Sequence, residues 1–170
     1  MKRLLLAAAL SLLTAGSAMA QTVYIVRHAE KADASADPVL SPAGEARAGA
    51  LAAVMADTHP SLILVTPLQR TQLTAAPTAE YHSLTPEAVP FDGGAQGQAD
   101  VIAARVAALP DDTTVLIVGH SNTVPLIVRA LGFGAAADMP ECEYDRMTVV
   151  TINGEIVTGD VSRYGEATVC

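Results

Sequence analysis

Three short runs, Val23 to Val26, Leu62 to Val65 and Val115 to Val118, are almost wholly apolar, rich in β-branched residues, and each is followed by a turn and a helical pattern. Side chains of a strand alternate between two faces, so a run that is apolar on both must be covered on both. That is the signature of strands in a parallel sheet with helices above and below. Between the runs lie the helix candidates. "SPAGEARAGALAAVMA" opens with Ser41 as N-cap and Pro42 at the first helical position, and "TPLQRTQLTAA" opens with Thr66 and Pro67 in the same arrangement. Ile102, Val106 and Leu109 recur at helical spacing, and "NTVPLIVRALG" runs to Gly132, a good C-terminal stop. The last forty residues change character. "MTVVTINGEIVTGDV" alternates apolar and polar residues around Asn153-Gly154, a two-residue hairpin signal. The expected fold is therefore α/β, a three-layer α/β/α arrangement around a mostly parallel sheet, with a C-terminal antiparallel hairpin at its edge.

The chain has 170 residues, and the first twenty place Lys2 and Arg3 before an apolar run, with Ala18-Met19-Ala20 ahead of Gln21. This is the layout of a secretory signal peptide, and the run is too short and too interrupted to be a membrane span. Residues 1–20 are read as a cleaved signal and residues 21–170 as one domain, exported to the periplasm or secreted, with no stable membrane association after cleavage. The net charge of −8 becomes −10 once Lys2 and Arg3 are removed. Such a chain repels nucleic acid, so any anion site must be built from a few clustered cations. Cys142 and Cys170 are candidates for one disulfide in an oxidising compartment, with free structural thiols as the alternative. No C-x-x-C and no close His/Cys pair is present, and the four histidines are scattered, so neither a metal site nor a cofactor is expected.

Ligands of open parallel sheets bind beyond the carboxyl ends of the strands. Three segments put polar groups there: "VRHAEK", "VTPLQRTQLTA" and "VGHSNTVP". Arg27, His28, Arg70 and His120 can thus converge on one crevice suited to a dianion. Guanidinium forks match phosphate oxygens and stay charged, and Arg70 falls in the first turn of a helix, where free N–H groups also favour an anion. An imidazole is both nucleophilic and poised near neutral pH, so one histidine can attack phosphorus while the other donates to a nonbridging oxygen. Ser121 is placed to add a phosphate contact or, with Asn122, to cap a helix.

These residues resemble the histidine phosphatase superfamily, the phosphoglycerate mutase-like fold. Its Arg-His-Gly signature is similar to Arg27-His28-Ala29. Its Leu-[Ser/Thr]-x-x-Gly-x-x-Gln-Ala element is similar to Leu40 through Ala48, with Arg47 where Gln is usual. Its Ser-Pro-Leu-x-Arg-x-x-Gln-Thr-Ala element is similar to Thr66 through Ala75, with one residue more between Gln72 and Thr74-Ala75. Its Gly-His-[Ser/Gly]-Asn element is Gly119-His120-Ser121-Asn122. The resemblance implies that His28 becomes phosphorylated, that Arg27, Arg70 and His120 form the phosphate pocket, and that the substrate is a small phosphorylated compound. It also implies an acid that protonates the leaving group, for which Glu87 and Asp92 are the candidates. Asp92, beside Gly93-Gly94 in a turn able to approach a ligand, is favoured. A chain without that acid would suit phosphohistidine proteins, whose phosphoramidate leaves easily. A non-catalytic phospholigand-binding protein is the rival from another class, opposed by the retention of both histidines. Glu30 and Lys31 are read as substrate contacts or a solvated pair, His59 and His82 as surface residues, and Tyr144 and Asp145 as lining the pocket or packing and capping.

Overall fold

A computed structural model describes residues 19–170; the signal-peptide expectation for residues 1–20 falls almost wholly outside them. The elements in chain order are β1 (Gln21–Arg27), α1 (Pro42–Met55), β2 (Leu62–Val65), α2 (Gln69–His82), β3 (Glu87–Ala88), α3 (Gly94–Ala107), β4 (Thr114–Gly119), α4 (Val124–Ala130), β5 (Arg146–Asn153) and β6 (Ile156–Arg163). The strands form one sheet in the order β3-β2-β4-β1-β5-β6. β1, β4, β2 and β3 pair in parallel, and the β5–β6 hairpin pairs antiparallel to β1. The expected three-layer α/β fold with an antiparallel edge hairpin is what forms.

Both faces of the central strands are covered, as their composition requires. Register aligns Val23, Val115 and Leu62 across the sheet, and two residues on Ile25, Ile117 and Leu64. These point to one face and pack with Ile102 and Val106 of α3 and Val124, Ile127 and Val128 of α4. The alternate residues Val26, Leu116, Val118, Ile63 and Val65 point to the other face, against Leu51 and Met55 of α1 and Ala75 and Ala79 of α2. A period-2 chain buried on both sides supplies two cores.

Helix starts follow local chemistry. At α1 the Ser41 hydroxyl accepts the Gly44 N–H at 3.1 Å, with Pro42 in the first turn, as expected. At α2 the start differs from expectation: Thr66 and Pro67 are not in the helix, which begins at Gln69 with Leu68 as an uncapped N-cap. Thr66 is diverted because its hydroxyl and that of Thr71 lie 2.9 Å apart and close the turn with side-chain bonds. The hairpin turn is Gly154-Glu155, with Gly154 at φ +59, and Asn153 pairs with Ile156.

The C-terminal tail is tied back. Cys142 and Cys170 are bonded, and Asp145 accepts from Arg163 at 2.7 Å and from the Thr168 hydroxyl at 2.7 Å. Arg47 of α1, 3 % exposed, donates to the Tyr164 and Glu166 carbonyls, both at 2.9 Å.

Candidate functional site

β1 and β4 are adjacent and parallel, with Arg27 opposite Gly119, so the residues that follow both strands emerge side by side. The His28 N–H donates to the Gly119 carbonyl at 2.9 Å, locking the two strand ends together. His28 and His120 are thereby brought to a ring separation of 5.2 Å, both buried. The His28 Nδ1 lies 2.8 Å from the Ala29 carbonyl. A carbonyl only accepts, so Nδ1 carries the proton and the Nε2 lone pair is left free, the form a nucleophile needs.

The loop after His28 is held just as closely. The Ala29 N–H donates to the Thr74 hydroxyl at 2.9 Å, and Thr74 donates to the Arg70 carbonyl at 2.7 Å. One threonine of α2 thus links the histidine loop to the turn of helix that carries Arg70. Ala29, where Gly is usual, is fully buried with Leu40 and Ala48, and its backbone stays out of the left-handed region, so a methyl group is accommodated. Gly44 is the residue that cannot change: a Cβ there would overlap the Glu30 carbonyl.

Arg27 is 1 % exposed and would be costly to bury without acceptors. The segment Pro140–Tyr144 supplies them: Nη1 donates to the carbonyls of Pro140, Glu141 and Glu143, and Nη2 to the Glu141 carboxylate at 2.9 Å. The Tyr144 ring lies 4.1 Å from the guanidinium carbon and edge-on to His28 at 6.0 Å. Two donors remain unused. Among the described residues, Arg27 Nε and Arg70 Nε are both buried with no partner. Buried guanidinium N–H groups without acceptors are rare, and two beside a pair of histidines mark a place where an anion fits.

Burial is the main cause of the histidines' acidity. It lowers His28 to about 4, assisted by Arg27, Arg70 and Lys31, and lowers His120 to about 3, assisted by His28 and the same two arginines. Both imidazoles are therefore neutral at pH 7. His120 Nε2 lies 3.1 Å from the Thr66 hydroxyl, the His120 backbone N–H donates to the Thr123 hydroxyl at 2.9 Å, and the ring lies 5.6 Å from Phe91.

The remaining sequence expectations divide. Ser121 is at the site, but its hydroxyl donates to the Glu141 carboxylate, and the N-cap of α4 is Thr123, not Ser121 or Asn122. Glu87 is not at the site: it is ion-paired with Arg105 in a groove with His59, Leu62 and Thr114, at the amino ends of β2 and β4. Its side chain leaves β3 in the direction away from the histidines, and this corrects its reading as a general acid. Asp92 is exposed on the turn that follows Phe91, whose ring faces His120. Glu30 is ion-paired with Arg47 at 2.7 Å rather than with Lys31. Tyr144 lines the pocket, whereas Asp145 faces the tail. His82 is half-buried and its Nε2–H donates to the Met55 carbonyl at 3.0 Å, and His59 is exposed. The residue that sequence reasoning missed is Glu141, whose only signal was its nearness to Cys142.

The profile of the histidine phosphatase superfamily (branch 1) matches residues 23–90. No curated protein matches the chain. Among solved structures, phosphoglycerate mutase from Bacillus anthracis is similar with a TM-score of 0.66 at 15% identity, over 85% of this chain and 93% of that one. A mycobacterial glucosyl-3-phosphoglycerate phosphatase is similar with a TM-score of 0.64 at 16% identity, over 87% and 100%. A protein named as phosphohistidine phosphatase SixA from Agrobacterium tumefaciens is similar with a TM-score of 0.59 at 24% identity, over 83% and 97%. The profile match thus runs from β1 through β3, and the fold of these solved structures is shared along more than four fifths of the chain.

Proposed function

We propose that the protein is an exported phosphatase that hydrolyses small phosphomonoesters through a phosphohistidine on His28, without a metal ion. The observation that carries this reading is the pair of buried, unpartnered guanidinium donors, Arg27 Nε and Arg70 Nε, beside a histidine whose Nδ1–H is already committed. A phosphoryl group held by the two arginines faces a neutral imidazole. His28 Nε2 forms a bond to phosphorus as the bond to the leaving oxygen breaks, and that oxygen takes a proton from an acid or from water. His120 stabilises the charge on the nonbridging oxygens. Water then attacks the phosphoimidazole, releasing inorganic phosphate and restoring neutral His28. Export is supported by the Cys142–Cys170 disulfide, a bond that persists in oxidising compartments, and by the basic-then-apolar start of the chain.

A phosphohistidine protein is the second reading for the substrate. It is favoured by the position of Glu87, which leaves the exposed Asp92 as the remaining candidate acid of the two. The test is hydrolysis of an aryl phosphate and of a phosphohistidine peptide by the chain from Gln21 onward, with chelator present, beside His28→Ala. Turnover in the parent and none in the variant is expected; equal turnover in both would overturn the mechanism. Loss of activity with chelator, restored by zinc or magnesium, would overturn metal independence.

A further inference from the structure

Glu141 engages two donors at the edge of the histidine site, beside the unused Arg27 Nε. Its carboxylate takes the Arg27 Nη2 donor at 2.9 Å with one oxygen and the Ser121 hydroxyl with the other. Planar, anionic and bidentate, it makes two of the contacts a phosphoryl group would make. The side chain is nonetheless 80% exposed, so it is held by these two contacts rather than by packing. Its backbone, by contrast, is fixed. The carbonyls of Pro140, Glu141 and Glu143 accept from Arg27 Nη1, and Cys142 is bonded to Cys170. A side chain free to rotate on a fixed backbone stays at high effective concentration beside the site whether or not it occupies it. It also has somewhere to go. An open hollow next to the site is lined by Ser121, Asn122, Arg129, Asp138 and Glu141; Arg129 is already paired there with Asp138 at 2.6 Å, so a displaced carboxylate turns into water rather than onto a new cation.

Resting on the phosphatase reading, we propose that Glu141 is an intramolecular competitor for the phosphate site: it yields to an entering phosphoryl group and returns to displace the inorganic phosphate left by hydrolysis. The alternative role, proton donor in the resting site, fits less well. The Ser121 hydroxyl and the Arg27 charge hold the Glu141 carboxyl below the usual carboxylate range, so it is ionised at neutral pH. A site with two arginines and no competitor would retain its product; a tethered carboxylate shortens that retention.

The test is calorimetric titration of inorganic phosphate into the parent and into Glu141→Ala at pH 7.5. The apparent affinity of a site that is open only part of the time falls by the open fraction, so removing the competitor should tighten phosphate binding about tenfold. The side chain is exposed, and a parent-like circular dichroism spectrum of the variant is the control for the fold. Tightening in the variant supports the competitor. Unchanged or weaker binding in the variant, or no binding by either protein, overturns it. Binding is read without turnover, so the two hypotheses fail separately: tighter binding in a protein that hydrolyses nothing would refute the phosphatase and keep the competitor.

Discussion

Replacing Cys142 and Cys170 by serine tests how the segment under Arg27 is held. The bridge spans 28 residues of sequence. In the chain-entropy description, opening a loop of that length restores roughly 12 cal/mol/K to the unfolded chain, or about 3.5 kcal/mol at 25 °C. The folded state should lose little. The tail is still fixed by Asp145 with Thr168 and by Arg47 with the Glu166 carbonyl, and the segment itself by the three carbonyls on Arg27. The cost therefore falls on the unfolded side of the equilibrium. With a urea slope of about 2 kcal/mol/M, the midpoint should drop by roughly 1.5–2 M. Urea unfolding followed by circular dichroism, beside thiol titration of the denatured parent, measures both. Aryl phosphate turnover well below the transition should change little. A midpoint shift below about 0.3 M, with the parent free of titratable thiols, would refute the entropic argument. Two titratable thiols in the parent would refute the bridge.

Other perturbations read other parts of the structure. Because burial lowers His28 from 6.5 to about 4, and His120 further, the unfolded chain binds protons between those values that the folded one refuses. Stability should thus be full above pH 6.5 and fall as the pH drops toward 4, by on the order of 3 kcal/mol for His28 alone; a thermal midpoint flat across that range would refute it. Arg47→Met leaves Glu30 without its partner and two tail carbonyls without a donor, and should cost about 3 kcal/mol in urea unfolding. Thr74→Val removes the acceptor of the Ala29 N–H, and a loss of about 1–2 kcal/mol is expected with a fall in kcat larger than any rise in KM; an unchanged kcat would show that this bond does not position His28.

The strands of the central sheet were legible because their composition reports a global fact, coverage on both faces. Val23 to Val26 and Val115 to Val118 pair in parallel at the centre of the sheet, as that composition suggests. The two histidines and Arg27 were legible for the same reason, since the carboxyl end of a parallel strand is defined by the sheet. What escaped depends on closures between distant residues. β3 is two exposed residues, with no composition to mark it. The α2 start moved because hydroxyl bonds between Thr66 and Thr71 outcompeted the simple cap that Thr-Pro suggests. Arg47 lies in an alanine-rich helix, where a single cation looks solvent-facing, yet it is buried by a tail more than a hundred residues later. Glu141 reaches Arg27 across 114 residues, and nothing local to either predicts the meeting.

Burial, charge and nucleophilicity at this site are consequences of one arrangement. The chain carries a net charge of −8, so a cationic pocket has to be built locally, and Arg27 is put at its base almost fully out of water. An arginine so placed is tolerable only when its donors are used. Backbone carbonyls use them without adding formal charge, so the positive field is retained. Burial first, and then that field, drive the proton from His28, and the Ala29 carbonyl decides which nitrogen keeps the one that remains. Were the acceptors of Arg27 all carboxylates, the guanidinium would be neutralised, His28 would lose a cause of its low proton affinity, and a phosphoryl group would gain nothing by entering. One exposed, rotatable carboxylate is a different matter, because an incoming dianion can displace it. The distribution of acceptors over Arg27, three carbonyls that stay and one carboxylate that can leave, suits a site that must bind phosphate and then let it go.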